Sequence, residues 1–553
     1  MNAVTHTPES LCQLALDTVM AGDGAGGEAL ARPLLGHANL APRAMFIIGL
    51  AKAASAQHRL AEAWFEQASA LWPDNPDTWL NLAVARDNQG LAREANDAWL
   101  HAALAWYHRR ELESARAILE KLLERDPGFA AAHVDLAAVL EELHEPAQSM
   151  RHAVMLLKAL GDQVPALPAF LAALPETLQA EPAITLSAEL DDPVLRVAQT
   201  LNNLGNAALK LPDFELAERA YRVSHELAPA QALVAWNLSM LVLRRGDFAE
   251  GWSLYEQRWA RPDWEFPDRN LPRPAWTNED IAGRTLLVYC EQGLGDSMQF
   301  MALVPRLVER GARVILEVQE ALLWLVRNSL ESPSVSVVPR MADPRQVYGD
   351  PAYDFHVSVM SLPYRLGLRF DELPVARGYL RPDAASVARW RERLPAPTGK
   401  RVGIVWAGSP GQRDDARRSI PFEQLAPLWR LPGVEWHSLQ VGEAAEAALR
   451  QAELSQVHDW RGQLTPFLET AALVENLDLV ITVCTSVAHL AGAMGKPVWV
   501  LLPEPSEWRW LRDRDDSPWY PSARLFRQQA PGQWAGVVER VSAALQAFAG
   551  TPA

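Results

Sequence analysis

Apolar positions along the 553-residue chain follow two different rhythms. From about residue 10 to 260, alanine and leucine recur with the 3.6-residue period of helices that bury one face, and β-branched runs are few. From residue 284 the apolar positions gather into short unbroken runs separated by helical patterns, the signature of a parallel sheet. The first run, residues 286–290, breaks at Gly293-Leu294-Gly295-Asp296, and a helical pattern follows through Met298, Met301, Leu303, Val304, Leu307 and Val308. Strand, glycine turn and helix make a βα unit, and ligands of open α/β sheets sit outside the carboxyl ends of the strands, where such turns lie. Further runs at 312–318, 335–338 and 353–357 form one series; 402–406, 434–439, 479–483 and 497–502 form a second, closed by a helix at about 534–548. The expected fold class is an α-helical solenoid followed by two Rossmann-like α/β lobes.

The helical half repeats itself. Gly49, Ala61, Phe65, Ala68 and Pro73 align with Ala83, Ala95, Trp99, Ala102 and Tyr107 at a step of 34 residues, and Gly205, Ala217 and Tyr221 align with Ser239, Gly251 and Tyr255 at the same step. Small residues recur where two helices cross closely, and an aromatic recurs where the second helix packs on the next unit. This pattern resembles the tetratricopeptide repeat. Residues 112–127 read as a second helix whose first helix overlaps the preceding unit, and Pro165, Pro168, Pro175 and Pro182 interrupt the array. The expected domains are repeats over 1–160, an irregular connection over 161–192, further repeats over 193–262 and a proline-rich linker over 263–283. The two lobes are expected at 284–385 and 398–550. Repeat arrays present a concave surface, here expected to dock a polypeptide partner.

Composition narrows the setting. The formal net charge of −16 argues against a nucleic-acid partner, which needs a basic face. No apolar stretch approaches the ~20 residues of a transmembrane helix. Three distant cysteines, Cys12, Cys290 and Cys484, fit a reducing compartment, and no secretory signal opens the chain, so a cytoplasmic location is expected.

The second lobe carries the denser chemistry. Gly408 and Ser409 follow its first strand and lead to Arg417, Arg418 and Ser419; Cys484, Thr485, Ser486 and His489 follow a later strand. Thr485 and Ser486 at a helix N-terminus, with its free N–H groups and positive dipole end, suit a diphosphate, and Arg417 or Arg418 adds a fixed cation. The segments at 418–425, 485–499 and 516–528 resemble GT-B glycosyltransferases of the heptosyltransferase type fused to tetratricopeptide repeats, a bacterial design, and the layout is similar to protein O-linked sugar transferases. The resemblance implies a nucleotide-sugar donor at Gly408, Ser409, Arg417, Arg418, Cys484, Thr485, Ser486 and His489, with Gly293, Gly295 and Gln299 on the acceptor side. It also implies inverting, metal-independent transfer of a hexosyl or heptosyl group, with Asp296 as general base. A carboxylate is apt for taking a hydroxyl proton; capping the following helix is the competing role for Asp296.

One departure stands out. The family has aspartate before the threonine in D-T-[GS]-x-x-H, and this chain has Cys484, whose thiol does not accept a sugar hydroxyl as a carboxylate does. Asp513-Arg514-Asp515 spells a D-x-D metal motif but reads as a solvated loop, and no metal or other cofactor is expected. Trp508 and Trp510 are open to a stacking role or a core role. Transfer to a docked protein is the leading expectation. Transfer to a lipid or saccharide acceptor, and a non-catalytic repeat scaffold with a degenerate GT-B half, are the alternatives.

Overall fold

The computed structural model describes residues 7–188, 190–266, 269–340, 353–411, 415–442 and 457–550. The chain forms two compact units, Met1–Val234 and Ala235–Ala553.

The first unit is a stack of helix pairs. Ala41–Ala54 packs on His58–Leu71, Pro76–Asp87 on Ala92–His108, Ala130–Glu142 on Pro146–Ala159, and Pro193–Lys210 on Phe214–Leu227. The 34-residue step has a direct packing cause. A Cβ on Gly49 would lie 2.5 Å from the Phe65 ring, and a Cβ on Gly205 would lie 2.5 Å from the Tyr221 ring. In both repeats the small residue lets the aromatic of the partner helix, sixteen positions later, press against bare backbone. Helix starts carry the expected caps: Asn75 Oδ1 accepts from Asp77 N, and Asp192 and Asp213 accept from the amides of Leu195 and Leu216. The overlap read at 112–127 is resolved by a single 17-residue helix, Ala92–His108, which packs against both Pro76–Asp87 and Leu112–Arg125. After Ala159 the chain runs through the short helices Leu167–Ala172 and Glu176–Gln179. It then lies back on the preceding pair, with Ile184 N donating to Met155 O and Ser187 N to Gly128 O.

The second unit begins within the helix Ala232–Arg244 and continues through Phe248–Tyr255. Among the described residues it holds two sheets, and every strand pairing in them is parallel. The first contains β1 (Thr285–Tyr289), β2 (Arg313–Val318), β3 (Val335–Pro339) and β4 (Phe355–Ser358), in the order β3-β2-β1-β4. The second contains β5 (Lys400–Val405), β6 (Val434–Ser438), β7 (Val457–Asp459), β8 (Leu479–Val483), β9 (Val498–Leu502) and β10 (Ala523–Arg527), in the order β10-β9-β8-β5-β6-β7. Two successive parallel α/β lobes constitute the GT-B layout. The strands β8 and β9, buried along their whole length, are the continuous apolar runs that a sheet covered on both faces demands. β7 and β10 are additions to the strands read from the sequence, and both are edge strands.

Phe248, Trp252 and Tyr255, repeat-type positions by sequence, are buried in the same core as Phe300, Trp508 and Trp519 of the lobes. Trp252 meets Phe300 and Trp508 edge-on at 5.7 and 5.3 Å between ring centroids. No helix among the described residues is long and apolar enough to cross a membrane.

Candidate functional site

Three strand ends converge. After β1, Gly293 leads into the helix Leu294–Phe300, and Asp296 sits in its first turn. One carboxylate oxygen, Oδ2, accepts from Gly293 N at 2.9 Å, so Asp296 does cap this helix. The other, Oδ1, pairs with Arg509 Nη2 of the opposite lobe. Gly295 faces the same lobe: a Cβ there would come within 2.7 Å of His489 Cδ2, so only glycine allows the two helices this approach.

After β8, Thr485 is the extended residue before the helix Ser486–Met494, and its side chain makes no cap. Its Oγ1 instead lies 3.0 Å from Thr482 Oγ1. Cys484, Thr485 and Ser486 are half-buried. One turn in, His489 is enclosed, its Nδ1 3.0 Å from the Tyr520 hydroxyl and its ring stacked on Trp510. Burial, with Arg509 adding to it, pushes its pKa down to about 3, so it is neutral. The histidine is thus packed in the core, against Tyr520 and Trp510.

After β5, the amides of Trp406 and Ala407 donate to Gln440 Oε1, at 3.1 and 2.9 Å, and pin the loop. A Cβ on Gly408 would stand 2.2 Å from Asp415 Oδ1 and 2.3 Å from Arg418 Nη2, so the bare backbone here is what lets Arg418 lie flat across it. Arg418 is held by Asp415 (Nε to Oδ1, 3.0 Å) and donates to Cys484 O from Nη1 at 3.3 Å, which fastens it beside the start of the Ser486 helix. Ser409 and Arg417 are exposed. Gln299 is buried, and its amide has no hydrogen-bond partner among the described residues.

The loop after β9 supplies what the sequence reading missed. Arg509, 8% exposed, pairs with Asp296 and also with Glu507, and its guanidinium lies 4.3 Å over the Trp508 ring. Trp510 Nε1 donates to Cys484 Sγ at 3.1 Å, and burial pushes that thiol's pKa up, so it is a poor nucleophile. Trp508 and Trp510 are buried, and core packing is the role the structure gives them. The available signal was a cation framed by two tryptophans at 508–510. In the D-x-D stretch, Asp513 faces Arg512, and Arg514 pairs with Asp516 just beyond it.

No family model matches the chain. A curated relative, Protein FlbA of Caulobacter vibrioides, is 29% identical over 363 residues, covering 63% of this chain and 60% of its own. The chain therefore spans about three fifths of that relative's length. Among solved structures, the glycosyl transferase family 9 protein of Veillonella parvula is similar at 11% identity, over 49% of this chain and 98% of its own, with a TM-score of 0.37. The ADP-heptose LPS heptosyltransferase II of E. coli is similar at 15% identity, over 48% of this chain and 98% of its own, with a TM-score of 0.35.

Proposed function

We propose that the protein is a glycosyltransferase that moves a sugar from a nucleotide-sugar donor to an acceptor hydroxyl, the acceptor being a polypeptide docked on the repeats. The observation that carries this is the meeting of Asp296, on the glycine turn of the first lobe, with Arg509, beside the uncapped start of the Ser486 helix. A base and an anion site on opposite lobes are what a displacement between two bound substrates needs.

In this reading the donor diphosphate lies at the N-terminus of Ser486–Met494, where the amides and the helix dipole favour negative charge. Arg418, fixed beside Cys484 O, offsets the charge that develops on the departing nucleoside diphosphate. The acceptor oxygen bonds to the anomeric carbon as the carbon–oxygen bond to the diphosphate breaks, and the hydroxyl proton passes to Asp296. Each carboxylate oxygen engages one partner in the structure and retains a further acceptor site for that proton. Attack from the face opposite the leaving group inverts the anomeric centre. The fixed cations let the chemistry proceed without a metal, so activity should survive a chelator.

The test is a panel of nucleotide sugars and free nucleotides, read by calorimetry and thermal shift, followed by intact-mass analysis of co-expressed proteins. A ligand that binds only the folded state raises the melting point by mass action. A selective donor together with a glycan that disappears in Asp296→Asn supports the reading; a glycan that persists in that variant removes Asp296 as base.

A further inference from the structure

Cys484 leaves the donor side without the carboxylate expected at that position. The tertiary structure brings another to the same place. Glu507, 23 positions later in the loop after β9, directs Oε2 to 3.9 Å from Cys484 Sγ. Its side chain is 38% exposed, against 8% for the neighbouring Arg509, so it is the accessible half of that pair. The loop beneath it is held firmly. Arg527 donates to Ser506 Oγ at 2.7 Å and to Trp510 O at 2.5 Å, while Trp508 and Trp510 are both buried in the core.

We propose that Glu507 replaces the missing carboxylate and accepts hydrogen bonds from hydroxyls of the donor sugar, making it a specificity-determining residue. This rests on the glycosyltransferase reading above. A carboxylate has two oxygens and about four acceptor positions, enough to bridge adjacent hydroxyls, whereas a thiol is a weak acceptor. Pairing with Arg509 holds the carboxylate in one orientation and offsets part of its charge toward a nearby diphosphate. The ligand class is therefore a polyhydroxylated sugar on a nucleoside diphosphate, with the phosphates at the Ser486 helix and the sugar toward Glu507. The same geometry explains why cysteine is tolerated at 484: a second carboxylate at side-chain contact with Glu507 would be repelled.

The experiment measures, by calorimetry on the full chain, binding of the best nucleotide sugar from the panel and of its free nucleoside diphosphate. Glu507→Gln should weaken the nucleotide sugar roughly tenfold to a hundredfold, the loss of charge-assisted hydrogen bonds, while leaving the free nucleotide within about twofold. Adding Cys484→Asp to that variant should restore most of the lost affinity, whereas Cys484→Asp alone should weaken binding. Equal loss for both ligands would make Glu507 only a support for Arg509 and overturn the proposal, as would unchanged sugar binding or failure of the double variant to recover. No binding of any nucleotide sugar to the unmodified protein would remove the donor reading itself, a result distinct from these.

Discussion

Arg509 pairs with Asp296 across the two lobes, joining residues 213 positions apart in sequence. The arginine stands between the buried Trp508 and Trp510 of the second lobe, and the aspartate caps a helix of the first, so a single guanidinium links the proposed base to the proposed donor side. It also pairs with Glu507, which makes it the hub of two carboxylates.

Arg509→Ala should therefore be costly. Removing one member of an enclosed pair leaves the partners without compensation, and the stacking over Trp508 goes with it. The exposure of Asp296 and Glu507, 22% and 38%, lets water relieve part of the loss. A destabilisation of about 3 kcal/mol or less is expected, measured by denaturant unfolding of the full chain. Arg509→Lys should recover only part, because a point charge does not serve two carboxylates as a planar fork does.

At the proposed donor loop, Gly408→Ala should act like Arg418→Ala. The first places a methyl where Arg418 and Asp415 now lie, and the second removes the cation. Each should weaken nucleotide binding by about tenfold, the value of one charge-assisted contact, with little change in melting temperature. Calorimetry with a free nucleotide distinguishes these from Ser409→Ala, which is exposed and should change binding little.

Two buried histidines, His489 and His437, and the half-buried His152 set a pH dependence. Burial depresses His489 and His437 to about 3 and His152 to about 4. The unfolded chain takes up protons near pH 6.5, before the folded chain does, so stability is complete above that value and falls as pH drops toward these folded pKa values. Each histidine contributes a slope of about 1 kcal/mol per pH unit within its window. Thermal unfolding between pH 7 and pH 5 should show a falling midpoint, shallower in His152→Gln.

In the repeats, Gly205→Val should be among the more damaging single changes. Its Cβ would meet the Tyr221 ring at 2.5 Å, and Tyr221 is itself buried, its hydroxyl 2.7 Å from Asn206 Oδ1. Overpacking of this kind costs about 1–3 kcal/mol. Differential scanning calorimetry should show a transition lowered by several degrees, with nucleotide binding unaffected.

The sequence by itself determined the parts of this protein that repeat at short range. Gly49 and Phe65, and Gly205 and Tyr221, disclose their helix pairs because the same small–aromatic contact, sixteen positions apart, occurs in both. The apolar runs of β1, β5, β8 and β9 disclose the sheets because strands covered on both faces need unbroken apolar residues. The glycine turn before Asp296 and the Thr485–Ser486 helix start were legible for the same reason: a turn or a cap is a property of a few neighbouring residues. β7 was not, because its three residues are half-buried or exposed, and β10 was obscured by Arg524 and Arg527 among its apolar positions.

Only the tertiary structure decided which residues meet. It placed Phe248, Trp252 and Tyr255, repeat-like in sequence, in the core of the lobes, and enclosed His489 between Tyr520 and Trp510. It set Glu507 beside Cys484 and Arg509 on Asp296. Periodicity reports which face of an element is buried, but charge pairing depends on distance in space, and that distance is fixed by how whole lobes pack.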